Sequence, residues 1–188
     1  MDALPEHIPV LTARQIRKTL QARLGDRLAL LKTALFNDFA DVALDAPATD
    51  AYWSCPIEME PPQAIMNTPS IGIQWGDAQL REASGDVKGM WETLTPYSIV
   101  IAVDAPSAEL VLEVSQAYAS AVVQVCGSLR DDAISAVVSA SSLGKSIPVR
   151  TVKPEQTSAA RPGWWDDASE TLLVAQVIIN VSQYEKAL

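Results

Sequence analysis

The chain has 188 residues, 48 % of them hydrophobic and 20 % charged, with a net charge of −9. That length suits a single domain over residues 1–188 with a full core, and is short for two. The acidic balance speaks against a nucleic-acid binder, which carries a basic patch, and no apolar run reaches the ~18–20 residues that span a bilayer.

The start, MDALPEHIPVL, has no basic head and no apolar centre, so it does not read as a secretory signal and a cytosolic setting is expected. Residues 1–11 read as an extended arm, because Pro5 and Pro9 oppose helix. Thr12 and Gln15 fit a capping box, and a helix is predicted over about 13–42. Ile16, Leu20, Leu24, Leu28, Leu31, Leu35 and Phe39 form its apolar stripe at steps of three and four. Gly25 interrupts that stripe at a cost of about 1 kcal/mol against alanine, so a kink or break is expected there. Arg14, Arg17, Lys18, Arg23 and Arg27 make the only compact basic run, interrupted by Asp26 and read as a solvated helix face.

Residues 47–68 are rich in proline (Pro47, Pro56, Pro61, Pro62) yet carry Tyr52, Trp53, Ile57, Met59 and Met66. Such a stretch reads as an ordered loop or short hairpin that packs on something. A short strand follows in PSIGIQW, residues 69–75. Residues 76–95 read as a second long connection that projects as an arm, extending the strands it joins.

The next stretch is the scaffold. Ile99, Ile101 and Val103 alternate with Val100 and Ala102, so the strand is apolar on both faces, as for a central strand covered on both sides. Asp104-Ala105-Pro106-Ser107 supplies turn and capping residues. Val111, Val114, Tyr118, Ala121, Val122, Val125 and Leu129 then define an amphipathic helix. Its polar stripe is Glu109, Glu113, Gln116, Ser120, Gln124 and Ser128. A short helix is expected from Asp131-Asp132, a strand over 146–152, a third long loop over 153–170, and a last strand over 171–183 with Leu173, Ala175, Val177, Ile179 and Val181 on one face. The order predicts an α+β fold. Its four-stranded, mainly antiparallel sheet carries the long N-terminal helix and the second long helix on one face, with long projecting loops.

Motifs that could carry chemistry are thin. Gly144-Lys145-Ser146 ends like a phosphate-binding loop, but Ser139 stands where the pattern needs glycine, and a strand follows instead of a helix. His7 is the only histidine and has no visible partner for a nucleophile triad. Asp131-Asp132 and Asp166-Asp167 would need further converging ligands to hold a metal, and Asn180-Val181-Ser182 sits in a strand where glycosylation has no meaning. Cys55 and Cys126 leave a disulfide open, though a cytosolic setting does not favour one. Trp164-Trp165, between Pro162-Gly163 and Asp166-Asp167, is the strongest local anomaly. One ring can fold back on the core while the other inserts into a partner.

This order of elements resembles the tail terminator, or tail completion, proteins of long-tailed bacteriophages. The resemblance covers about residues 12–185. It rests on the long first helix, the PSIGIQW strand, the YSIVIAVDAP strand leading straight into a long helix, and the late TLLVAQVIINVSQY strand. It implies a virion protein of the tail–neck region, assembled in the host cytoplasm, with no catalysis, no cofactor, no metal and no membrane. It implies a homo-oligomer, a hexameric ring on the head-proximal end of the tail tube that ends tube polymerisation. Its partners would be the tail tube protein, a neck or head-completion protein, and the sheath protein where the tail contracts. DNA would pass through without specific binding, and Glu109 and Glu113 would have the right sign to face it. Contacts between subunits are expected from Trp164, Trp165, Asp166, Asp167, Tyr52 and Trp53. A neck or head–tail connector protein would show the same pattern. The rival of another class is a small α+β enzyme or ligand-binding domain with a pocket lined by Trp53, Trp75 and Trp91.

Overall fold

The computed structural model describes residues 7–35, 43–57, 68–77, 79–82, 90–127, 129, 149–160 and 172–186. Helix α1 spans His7–Leu35. A 3-10 turn at Thr49–Ala51 leads into β1, Tyr52–Pro56. Strands β2 (Ser70–Trp75), β3 (Gln79–Glu82) and β4 (Met90–Asp104) follow, then α2 (Ala108–Gly127), β5 (Val149–Ala160) and β6 (Leu172–Lys186). The architecture is α+β, as the periodicities predict.

One mixed sheet holds all six described strands in the order β1-β2-β4-β6-β5, with β3 pairing β4. The four expected strands are its body, and β1 and β3 are short additions inside stretches read as loops. Only β1 and β2 are parallel; every other described pair is antiparallel. The parallel pair escapes a reading by hairpins, because proline-rich chain separates its members. Strands β4 and β6 pair through all fifteen residues, from Met90↔Lys186 to Asp104↔Leu172. Strand β2 covers only Tyr97 to Ala102 of β4, and β3 covers Trp91 to Leu94. The Met90–Thr95 part of β4, within the stretch 76–95 read as a connection, thus pairs β3 where β2 stops, with β6 on its other side and β5 beside β6 as far as Gln183. In the same way, residues 153–160 of the third expected loop belong to β5.

Pro96 explains why the β2–β3 edge is cut. Its carbonyl accepts from the Gly76 amide at 3.0 Å, so its missing N–H faces the same side. The ladder loses its return bond there and resumes only at Gln79↔Leu94. The β6 side is untouched, because the hydrogen-bonding groups of Pro96 point away from it. A Cβ on Gly76 would stand 3.1 Å from Pro96 Cγ, so the smallest residue sits where the strands come closest.

The core lies between the helices and one face of the sheet. Ile71, Ile73, Tyr97, Ile99, Ile101, Val103, Ala175, Val177, Ile179 and Val181 meet Ile16, Leu20, Leu24 and Leu28 of α1 in one cluster. Val111, Val114, Tyr118, Ala121, Val122 and Val125 of α2 join the same cluster. Each fully buried Val, Leu or Ile contributes about 1.5–3 kcal/mol through removal from water. The apolar character of α2 over Glu109–Gly127 would suffice to cross a membrane by length and composition, but this helix buries it in the core. Ser107 caps α2: its Oγ accepts from the Leu110 amide at 3.2 Å, and its carbonyl accepts from the Val111 amide at 3.0 Å.

Helix α1 departs from expectation at its start. It begins at His7, and Pro9 sits in the first turn, where the missing N–H has no intrahelical partner to lose. Residues 7–11 are therefore helix and not an extended arm, and Thr12 is no cap. Its side chain hydrogen-bonds the buried Tyr97 hydroxyl, which also donates to the Pro9 carbonyl at 3.3 Å. Gly25 does not break the helix; it lets Ala46 approach, whose Cβ would lie 3.4 Å from a Cβ there. Residues 36–42 and the short helix expected from Asp131 fall outside the described residues.

Candidate assembly surface

The second face of the sheet differs from the first. It carries Trp53 and Cys55 of β1, Ser70, Gly72 and Gln74 of β2, Ser98, Val100 and Ala102 of β4, and Val174, Gln176, Ile178 and Asn180 of β6, placed by strand alternation and register. Both helices pack on the opposite face, so the central strand is not covered by helices on both sides. Ser70, Gln74, Ser98 and Ala102 are nevertheless buried, while Val100, Val174, Gln176, Ile178 and Asn180 are half-buried. Gln176 Nε2 donates to Ser98 Oγ at 2.6 Å, and Gln74 Nε2 reaches Cys55 Sγ at 3.9 Å.

Trp53 is the largest side chain of this face. Its indole lies on Gly72: a Cβ there would fall 2.0 Å from Trp53 Cζ2. Only glycine admits the ring at that depth. Trp53 Nε1 and Ser70 Oγ are buried on this face with no hydrogen-bond partner among the described residues, so each gives up its bond to water without a replacement there.

Tyr52, the neighbour of Trp53, points the other way. It is 7 % exposed and belongs to the core, and burial pushes its phenol up to about 12. As a packing residue it offers little surface to a neighbouring subunit. Trp75 also faces the core side, so Trp53 and Trp75 stand on opposite faces and cannot line one pocket. The side chain of Trp91 is outside the described set, as are Trp164, Trp165, Asp166, Asp167, Asp131, Asp132 and the Gly144-Lys145-Ser146 stretch. Cys55 and Cys126 are both free thiols. Their surroundings differ: Cys55 is half-buried on the second sheet face, whereas Cys126 lies in the core, where burial pushes its thiol up to about 12. Burial also raises Cys55, and its hydrogen bond with Gln74 opposes that. Among the described residues no three His, Cys, Asp or Glu side chains gather as a metal site would require.

The outer side of the helix layer has its own pattern. Glu109 and Glu113 are exposed on α2 as the periodicity predicts, together with Gln116, Ser120 and Gln124. Leu112 is 46 % exposed between the two glutamates. On α1, Leu30 is 61 % exposed, and Arg23, Asp26 and Arg27 are exposed on the same side, at helical steps of seven, four and three residues. Neither leucine figures among the expected contact residues. The signal is in the sequence, because both fall off the buried stripe of their helix and among charged neighbours.

No family model matches the sequence, and no curated protein matches it. Among solved structures, the chain is similar to one in the virion of a native gene transfer agent particle. The identity is 15 % and the TM-score 0.45, over 88 % of this chain and 95 % of that one.

Proposed function

We propose that the chain is a structural protein of a long-tailed phage virion, and within it the tail terminator. In this reading it forms a hexameric ring on the head-proximal end of the tail tube, stops tube growth and joins the tail to the neck. Its neighbours are then the tube protein, a neck or head-completion protein and, in a contractile tail, the sheath. The observation that supports this best is the arm. Strands β4 and β6 run paired for fifteen residues, while β2 and β1 brace only one half of that ribbon. At the other end, Met90–Glu92 with Tyr184–Lys186 run past β5 and are flanked by β3 alone among the described strands. Such an arm suits clasping in a closed ring, where each subunit offers two different surfaces. Trp164, Trp165, Asp166, Asp167 and the exposed rim of Trp53 are further contact candidates. The acidic pair Glu109 and Glu113 has one of two neighbours in such a ring, DNA in the bore or the adjacent subunit.

Light scattering of the purified chain, followed by negative-stain imaging with tail tubes, tests the reading. Rings seated at one end of tubes of uniform length are expected. A chain that leaves tube ends bare and tube length unregulated would sink it. Rings that seat on the portal side and never on tubes would instead favour a neck or head–tail connector.

A further inference from the structure

The chain exposes three large hydrophobic side chains among its described residues, Leu30, Ile57 and Leu112. Two of them have exposed charged neighbours of opposite sign on their own helices. Leu30 on α1 stands on one side of the helix with Arg23 and Arg27, which outnumber the nearby Asp26. Leu112 on α2 has Glu109 one turn before it and Glu113 next to it in the chain. The charge division extends along both helices: α1 carries six of the chain's 14 lysines and arginines with Asp26 as its one acidic residue, and α2 carries two glutamates and no basic residue.

We infer that the α1 patch of one copy docks on the α2 patch of the next, with Leu30 and Leu112 meeting inside a frame of Arg23 and Arg27 against Glu109 and Glu113. The occupant is a second copy of this chain because each patch complements the other and is repelled by its own kind. Apolar contact supplies affinity, and the surrounding charges set partner and orientation. The two patches lie on different helices, and in the ring reading the contact is heterologous, passing from copy to copy until it closes. This places the glutamates of α2 against a neighbour instead of DNA. The inference rests on the ring reading and deepens it.

Charge reversal gives a test in which every arm decides. Arg27→Glu leaves both patches of a chain net acidic. Glu109→Gln together with Glu113→Arg leaves both net basic. Each variant alone should associate at least tenfold more weakly than wild type by sedimentation, with the thermal midpoint of the monomer unchanged. A one-to-one mixture should recover association, because acidic and basic chains then alternate, which an even-membered ring permits. A second approach avoids charge altogether. Leu30→Cys and Leu112→Cys, placed together in a Cys55→Ser chain, should give an interchain ladder with a short bis-maleimide, and neither alone should.

Variants that assemble like wild type, or a mixture that stays dissociated, would overturn the inference. If both variants still cap tail tubes, the terminator reading survives and only this contact is wrong. A wild-type chain that stops at a dimer, abolished by Arg27→Glu and restored by mixing, would support the contact while removing the ring.

Discussion

The two faces of the sheet are made by the same strands and obey different rules. On the helix side, Ile71, Ile73, Ile99, Ile101, Val177 and Ile179 are fully buried and large. On the other side, at the alternate positions of the same strands, stand Ser70, Gly72, Ser98, Ala102 and Gln176. Burial alone does not separate the faces, because Ser70, Ser98 and Ala102 are also almost inaccessible. What differs is the means. The first face is closed by two helices and transfers hydrocarbon out of water. The second carries short side chains, amide hydrogen bonds and one tryptophan ring seated on a glycine.

Alkali should break the first face most completely. Burial holds Cys126 and Tyr52 near 12 and raises Tyr97 and Tyr118 as well, so the folded state keeps these protons longer than the unfolded chain does. The stability tied to them is fully present below about pH 9, where the unfolded groups are also protonated, and falls as pH rises from there through 12. Circular dichroism against pH should show cooperative unfolding in that window. Cys126→Ala should move its onset upward toward the range where tyrosine ionises.

Single substitutions should then separate the faces. Ile99→Ala opens a cavity under the helices and should cost about 2–5 kcal/mol. On the other face, Gly72→Ala places a methyl group inside the Trp53 ring and should cost about 1–3 kcal/mol by overpacking. In the Trp53→Ala background the same change should cost much less, and the difference measures how firmly the ring is seated. The smallest effect is expected at Val100, beside Ile99 in the chain but half-buried on the second face. Val100→Ala should cost about 1 kcal/mol, since part of the side chain stays in water and the lost methyl groups leave no closed cavity. Urea unfolding measures all three, and equal losses at Ile99 and Val100 would mean that the second face is as closely packed as the first.

Much of this molecule is legible from its local pattern. The α2 stripe from Val111 to Leu129 is buried at every expected position, and Glu109, Glu113, Gln116, Ser120 and Gln124 are exposed as the same period requires. In the α1 stripe Ile16, Leu20, Leu24 and Leu28 are fully buried and Leu31 half-buried, while the side chains of Leu35 and Phe39 lie outside the described residues. Prolines account for most departures. Pro9 reads as a barrier to helix, yet it occupies the first turn, where nothing is lost. Pro56 reads as loop, yet it ends a strand at the sheet's edge. Pro96 lies within a central strand, where proline is unexpected, because the neighbour on its N–H side is interrupted. The candidate contact residues were less legible, because a pattern rule says which side chains leave the core and says nothing about what they meet.

The sequence by itself determined which residues of each helix and strand face inward, since side-chain period is a property of the local backbone. It also determined the order of the main elements and the sign of charge on each helix. Only the tertiary structure decided which strand lies beside which, including the parallel pairing of β1 with β2. It alone seated Trp53 on Gly72, turned Tyr52 into the core, and left Leu30 and Leu112 uncovered. Those outcomes depend on contacts between residues distant along the chain, and no local period encodes which distant surface will arrive.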